Sequence, residues 1–203
     1  MSVRAALASA AYGLSIGAVH SVRFALRNLI KFPLLILVTA SVCSICYYIL
    51  ARWFTRALDA PAVARATLSI YHDTAVLLAS LSPVTLFLAL TIERPDRDGL
   101  HEYPMFLSVN VVLVALSGSL ALVRQCRQLQ REYGLAIARG SCLIGAWLAA
   151  SLFVGAQASW YMRPFCGVVD APFMLGTQPD FRGATSFYEA VYHVFQPPPN
   201  TTH

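Results

Sequence analysis

The sequence predicts an all-α integral membrane protein: a four-helix transmembrane bundle, preceded by a basic amphipathic helix and followed by an aromatic cap that holds one short helix. Three observations predict it. Residues 33–54, PLLILVTASVCSICYYILARWF, carry no charge between Pro33 and Leu50, and a helix of that length rises roughly 33 Å, the thickness of a bilayer's hydrocarbon core. Three further apolar runs follow at 74–92, 105–123 and 140–161. Finally, 57% of the 203 residues are hydrophobic and 12% charged, against about 25% charged in a soluble domain. That is too little charge to coat a globule. The units expected are 1–32 at the membrane interface, 33–161 as the bundle, 162–196 as a structured cap and 197–203 as a disordered tail.

The net charge of +5 would point to nucleic acid in a soluble chain. Here the basic residues lie between apolar runs, where they meet lipid head groups and set topology, so no nucleic-acid partner is expected. The five cysteines are scattered, without the spacing of a disulfide framework or a zinc site.

Residues 5–19 are apolar but too short for an ordinary span, which suits an interfacial or half-inserted helix; Gly13 and Gly17 have the spacing that lets a second helix approach closely. His20, Arg23, Arg27 and Lys31 then recur at intervals of three and four and share one face of a helix over 19–32, with Val19, Val22, Leu26 and Leu29 opposite. Such a helix is expected to lie on the membrane surface with its cations on anionic head groups, until Pro33 breaks it and opens the first span.

The second span contains Pro83, which removes one intrahelical hydrogen bond; Ser80 and Ser82 are placed to relieve the freed backbone, and a kink near Leu81 is expected. The third span carries Asn110, which must find a hydrogen bond inside the membrane, and the small cluster Ser117, Gly118 and Ser119. Arg124, Arg127 and Arg131 continue its helical spacing on one face, so the helix is expected to project into water and stop at Gly134. The fourth span presents a ridge of small residues, Ser151, Gly155 and Ser159, suited to close helix packing. Beyond it, Ser186 and Glu189 have the spacing of a capping box, so a short apolar helix starting at Phe187 should dock on the bundle or on lipid. The density of arginine near the span ends places the first and third connectors in the cytoplasm.

Chemistry is thinly marked. Cys43 and Cys46 form the CxxC spacing of thiol oxidoreductases, but in mid-span, where a thiolate is strongly disfavoured. His72 and Asp73 read either as a proton-handling pair or as the point where a helix meets water. The five histidines lie in separate segments, no phosphate loop or nucleophile elbow is present, and no cofactor or metal is expected.

The strings KFPLLILVT (31–39), LSPVTLFLALT (81–91), YPMFLSVNVVLVALSGSLAL (103–122), GAQASWYMRPFCG (155–167) and FYEAV (187–191) resemble those of a family of uncharacterised bacterial multi-pass inner-membrane proteins. The resemblance implies a fold and an inner-membrane location, not an activity. It aligns Lys31, Pro33, Pro83, Asn110, Gln157, Trp160, Arg163, Pro164, Phe165, Gly167, Phe187 and Glu189 with the family's recurrent positions, and Ser186 stands where the family has Asn. In the C-terminal motif, Trp160 suits an interfacial anchor, Arg163 suits head groups or Glu189, and Pro164 with Gly167 turns the chain back over the bundle.

Three function classes fit. The first is a non-catalytic membrane subunit, oligomeric or accessory to a larger membrane complex; it requires no acid, base or metal and is the reading preferred. The second is a small pore or transporter, with only Asn110, Ser80, Ser82, Thr85 and Gln157 to line it. The third is a membrane thiol oxidoreductase resting on Cys43 and Cys46.

Overall fold

The computed structural model describes residues 3–18, 22–92, 102–161 and Tyr188. They form five α-helices: α1 (Val3–Gly17), α2 (Val22–Phe54), α3 (Ala60–Thr91), α4 (Glu102–Glu132) and α5 (Ile137–Tyr161). The last four are long and apolar enough to cross a membrane. The four predicted spans are thus helical, and the chain is an all-α membrane bundle.

The side chains on α2 show why lipid must be its solvent. Phe32, Leu35, Ile36, Cys43, Tyr47 and Ala51 are buried against the other helices, while Leu34, Leu37, Val38, Val42, Ile45, Ile49 and Trp53 are exposed. Both faces are apolar, and the outward one is a continuous stripe at helical period. In water so large an exposed stripe would need a partner; in a bilayer it is the surface that meets acyl chains.

Three boundaries differ from those expected. First, Pro33 does not break the helix: α2 runs unbroken from Val22 through Pro33 to Phe54, so 22–32 is the first part of the same helix as the span rather than a separate one. A proline costs a membrane helix less than a soluble one, because neighbouring helices and local adjustments can satisfy the carbonyl it leaves. The faces of this segment differ too: Leu26, Leu29 and Ile30 point outward, Asn28 and Phe32 are buried, Arg23 is exposed, and Arg27 and Lys31 are half-buried. His20 lies outside the described residues.

Second, α1 is part of the bundle. It packs on α2 and α3, burying Ala5, Ser9, Tyr12, Gly13, Ile16 and Gly17. Gly13 makes this possible, because a Cβ there would stand 2.5 Å from the Asn28 carbonyl oxygen and 2.6 Å from the Phe32 Cβ. Gly13, the first glycine of the GxxxG pair, therefore carries a real close approach. Tyr12 meets the Phe32 ring edge-on at 5.3 Å.

Third, α3 starts fourteen residues before the predicted span, at Ala60. Asp59 is its N-cap, accepting a hydrogen bond from the Ala62 amide at 3.0 Å, and Pro61 occupies the first turn, where a missing N–H costs nothing. Further along, α3 continues across Pro83; Ser80 Oγ donates to the Leu77 carbonyl at 2.7 Å and Ser82 Oγ to the Leu78 carbonyl at 3.3 Å. Both hydroxyls bond carbonyls just before the one that Pro83 leaves without its helical donor.

The α4 helix ends where predicted. Gly134 takes φ +59°, and the Leu135 amide bonds the Gln130 carbonyl at 3.0 Å, closing a Schellman motif. The connectors 55–59 and 133–136 are short, so α2 with α3 and α4 with α5 are antiparallel neighbours.

Candidate functional site

The bundle is packed around two buried clusters, one near α1 holding Tyr12, Phe32, Ile36 and Leu78, the other around Trp147, Tyr47, Cys43 and Leu122. Alongside them lies a cavity of about 580 Å³ reached by all five helices and by Tyr188. Its walls are mostly aliphatic and aromatic: Ile16, Phe32, Leu35, Ile36, Ile70, Leu78, Val111, Val114 and Phe153. The small residues that the sequence marked for helix packing line it as well, Gly118 and Ser119 from α4 and Ser151, Gly155 and Ser159 from α5. A Cβ on Gly155 would meet nothing within 4 Å. The ridge on α5 thus faces the cavity, open at Gly155 and in contact with α2 at Ser151.

Three hydroxyls on the cavity wall bond carbonyls of their own helices. Thr74 Oγ1 donates to the Ile70 carbonyl at 2.7 Å, Ser151 Oγ to the Trp147 carbonyl at 2.7 Å, and Ser159 Oγ to the Ala156 carbonyl at 2.8 Å. Tyr47 and Ser151 share a hydroxyl contact that ties α2 to α5, and Tyr47 stacks on Trp147 with ring centres 4.3 Å apart. Asn110 is buried at 3% exposure. Its Oδ1 accepts from Tyr12 Oη at 2.9 Å and its Nδ2 donates to the Phe106 carbonyl at 2.9 Å. The intramembrane amide therefore finds its cross-helix partner on α1, the segment expected to be interfacial or half-inserted. Tyr188 covers one side of the cavity. Its ring stacks on Phe153 at 4.8 Å and its hydroxyl donates to the Phe153 carbonyl at 2.6 Å; burial pushes the phenol above its ordinary value.

Of the remaining predicted residues, Trp160 is buried in the last turn of α5, and Gln157 is half-buried, its Oε1 without a hydrogen-bond partner. Arg163, Pro164, Phe165, Gly167, Phe187 and Glu189 lie outside the described residues, and with them the expected pairing of Arg163 with Glu189. Cys43 is fully buried, packed with Tyr47 and beside Tyr71, while Cys46, one turn on, is half-buried; both are free thiols. His72 Nδ1 stands 3.4 Å from Asp73 Oδ1, a long contact between sequence neighbours. Among the described residues no group of three His, Cys, Asp or Glu side chains gathers as metal ligands.

The site therefore offers shape and apolar surface, with the hydroxyls of Thr74, Ser151 and Ser159 turned onto their own backbones. Compared with family models, with curated proteins and with solved structures, the chain matches none.

Proposed function

We propose that this chain is a non-catalytic multi-pass membrane subunit, which works by holding other membrane components rather than by transforming a substrate. The observation that carries this reading is the cavity wall. Two small-residue faces, Gly118 with Ser119 and Ser151 with Gly155 and Ser159, line one space of about 580 Å³. In membranes, surfaces of this kind let a helix backbone or a bulky apolar side chain approach closely. A hydrophilic permeation path would want polar groups turned inward to replace water, whereas Thr74, Ser151 and Ser159 bond carbonyls of their own helices and Asn110 is engaged by Tyr12 and Phe106. Thiol exchange would want an accessible thiolate, and Cys43 is fully buried.

On this reading the occupant is a second copy or a partner membrane protein, in the bacterial inner membrane that the motif resemblance implies. Arg23, Arg27 and Lys31, at the start of α2, meet anionic head groups there. The test is the mass of the particle extracted from native membranes into lipid nanodiscs by a polymer that keeps neighbours together. The expected result is a particle larger than one chain plus its lipid belt, reduced to a single chain by Gly155→Leu. A single chain in the wild-type particle would contradict the proposal.

A further inference from the structure

A second groove runs on the outside of α3 and α4, about 810 Å³ in volume and separate from the central cavity. Its upper wall is charged: Arg124, Arg127 and Arg131 rise along α4, facing His72 and Asp73 on α3. Its floor is apolar, with Val76, Leu77 and Leu120 all exposed. The charges do not cancel, since three guanidinium groups face one carboxylate, which is already in contact with His72. Glu132, the other acid close by, accepts from Gln128 Nε2 at 2.9 Å. Among the described residues no ion pair reaches the three arginines.

The groove runs from the end of α4 inward along the span. Cys43 lies in the middle of the uncharged run of α2 and packs beside Tyr71, and the next two residues of α3 are His72 and Asp73. Arg131 lies in the last turn of α4, beside the connector 133–136, and Arg124 sits two turns further in. Arginines on a membrane-facing groove near a span end bring a counter-anion to themselves or snorkel to one.

We propose that this groove binds an anionic phospholipid, with the phosphate held by Arg124, Arg127 and Arg131 and one acyl chain laid along Val76, Leu77 and Leu120. Three observations converge on that occupant. The net positive wall complements a phosphate diester, the planar guanidinium fork matches phosphate oxygens, and the apolar floor continues from the charged end toward the lipid-facing part of the span. A soluble anion would use the first two features and leave the floor unused.

The experiment is native mass spectrometry of the full chain in a non-ionic detergent, titrated in parallel with phosphatidylglycerol, phosphatidylcholine and inorganic phosphate. The expected result is a phosphatidylglycerol adduct that survives activation energies at which phosphatidylcholine has left, with no retained phosphate and no displacement of the lipid by excess phosphate. The triple variant Arg124→Gln, Arg127→Gln, Arg131→Gln should lower the phosphatidylglycerol occupancy at least about tenfold. Leu120→Trp, which fills the floor and leaves the arginines in place, should lower it as well. Equal retention of the two lipids, displacement by inorganic phosphate, or unchanged binding in either variant would overturn the proposal.

Discussion

Tyr12 and Asn110, separated by 98 residues in sequence, are joined by a hydrogen bond of 2.9 Å from the tyrosine hydroxyl to the amide oxygen. This bond ties the short first helix to the third of the long spans. It also gives the buried amide of Asn110 a role in architecture: its oxygen is taken by α1 and its Nδ2 by the Phe106 carbonyl one turn earlier. Hydrogen bonds between membrane helices are worth about 0.6 kcal/mol on average and up to about 2. Tyr12→Phe and Asn110→Ala should each destabilise the protein, and a double-mutant cycle followed by unfolding in mixed micelles should show a coupling of about 1 kcal/mol. Strict additivity would mean that the two side chains do not depend on each other.

Gly13 sets how closely α1 lies on α2. A methyl group there would fall 2.5 Å from the Asn28 carbonyl oxygen, a backbone atom that cannot swing aside. Gly13→Ala should cost about 1–3 kcal/mol as an overpacking substitution, and Gly13→Leu should lift α1 away. The readout is labelling of a cysteine placed at Ser9, which is fully buried in the wild-type protein. Its reaction with a membrane-permeant maleimide should rise several-fold in the Gly13→Leu background.

Asp59 caps α3 through the Ala62 amide, outside the apolar core of that helix. Removing an N-cap carboxylate costs about 1 kcal/mol. Asp59→Ala should therefore lower thermal stability in detergent modestly, while Asp59→Ser or Asp59→Asn should restore most of it. If serine fails to rescue, the residue acts by something other than capping.

The four spans were legible because an uncharged run of hydrocarbon length rarely occurs outside a membrane helix, and the stop at Gly134 because only a residue tolerant of positive φ ends a helix that way. The boundaries that moved did so for physical reasons of the same kind. Pro33 looked like a break because in water it would be one. The start of α3 was written plainly as Asp59 followed by Pro61, but the apolar run that defined the span began later, and the helix was trimmed to it. Residues 5–19 are too short for an ordinary span, yet a helix that packs beside a span need not cross the membrane itself. The ridge Ser151, Gly155, Ser159 shows the remaining limit: a sequence reveals that a face is small, and only the fold reveals that it lines a cavity.

Whether the exposed apolar stripe of α2 lies in lipid decides everything else about this bundle, and Ile45 is the place to measure it. In mid-stripe it is 65% exposed, whereas Tyr47, two residues on, is fully buried. A nitroxide attached at Ile45→Cys in a cysteine-free background, with the protein reconstituted in bilayers, reports this directly by collision with oxygen, which concentrates in hydrocarbon, and with a water-soluble nickel chelate. A stripe in lipid predicts high oxygen and low nickel accessibility at Ile45. Nickel accessibility equal to that of an aqueous loop would place α2 in water and contradict the membrane bundle.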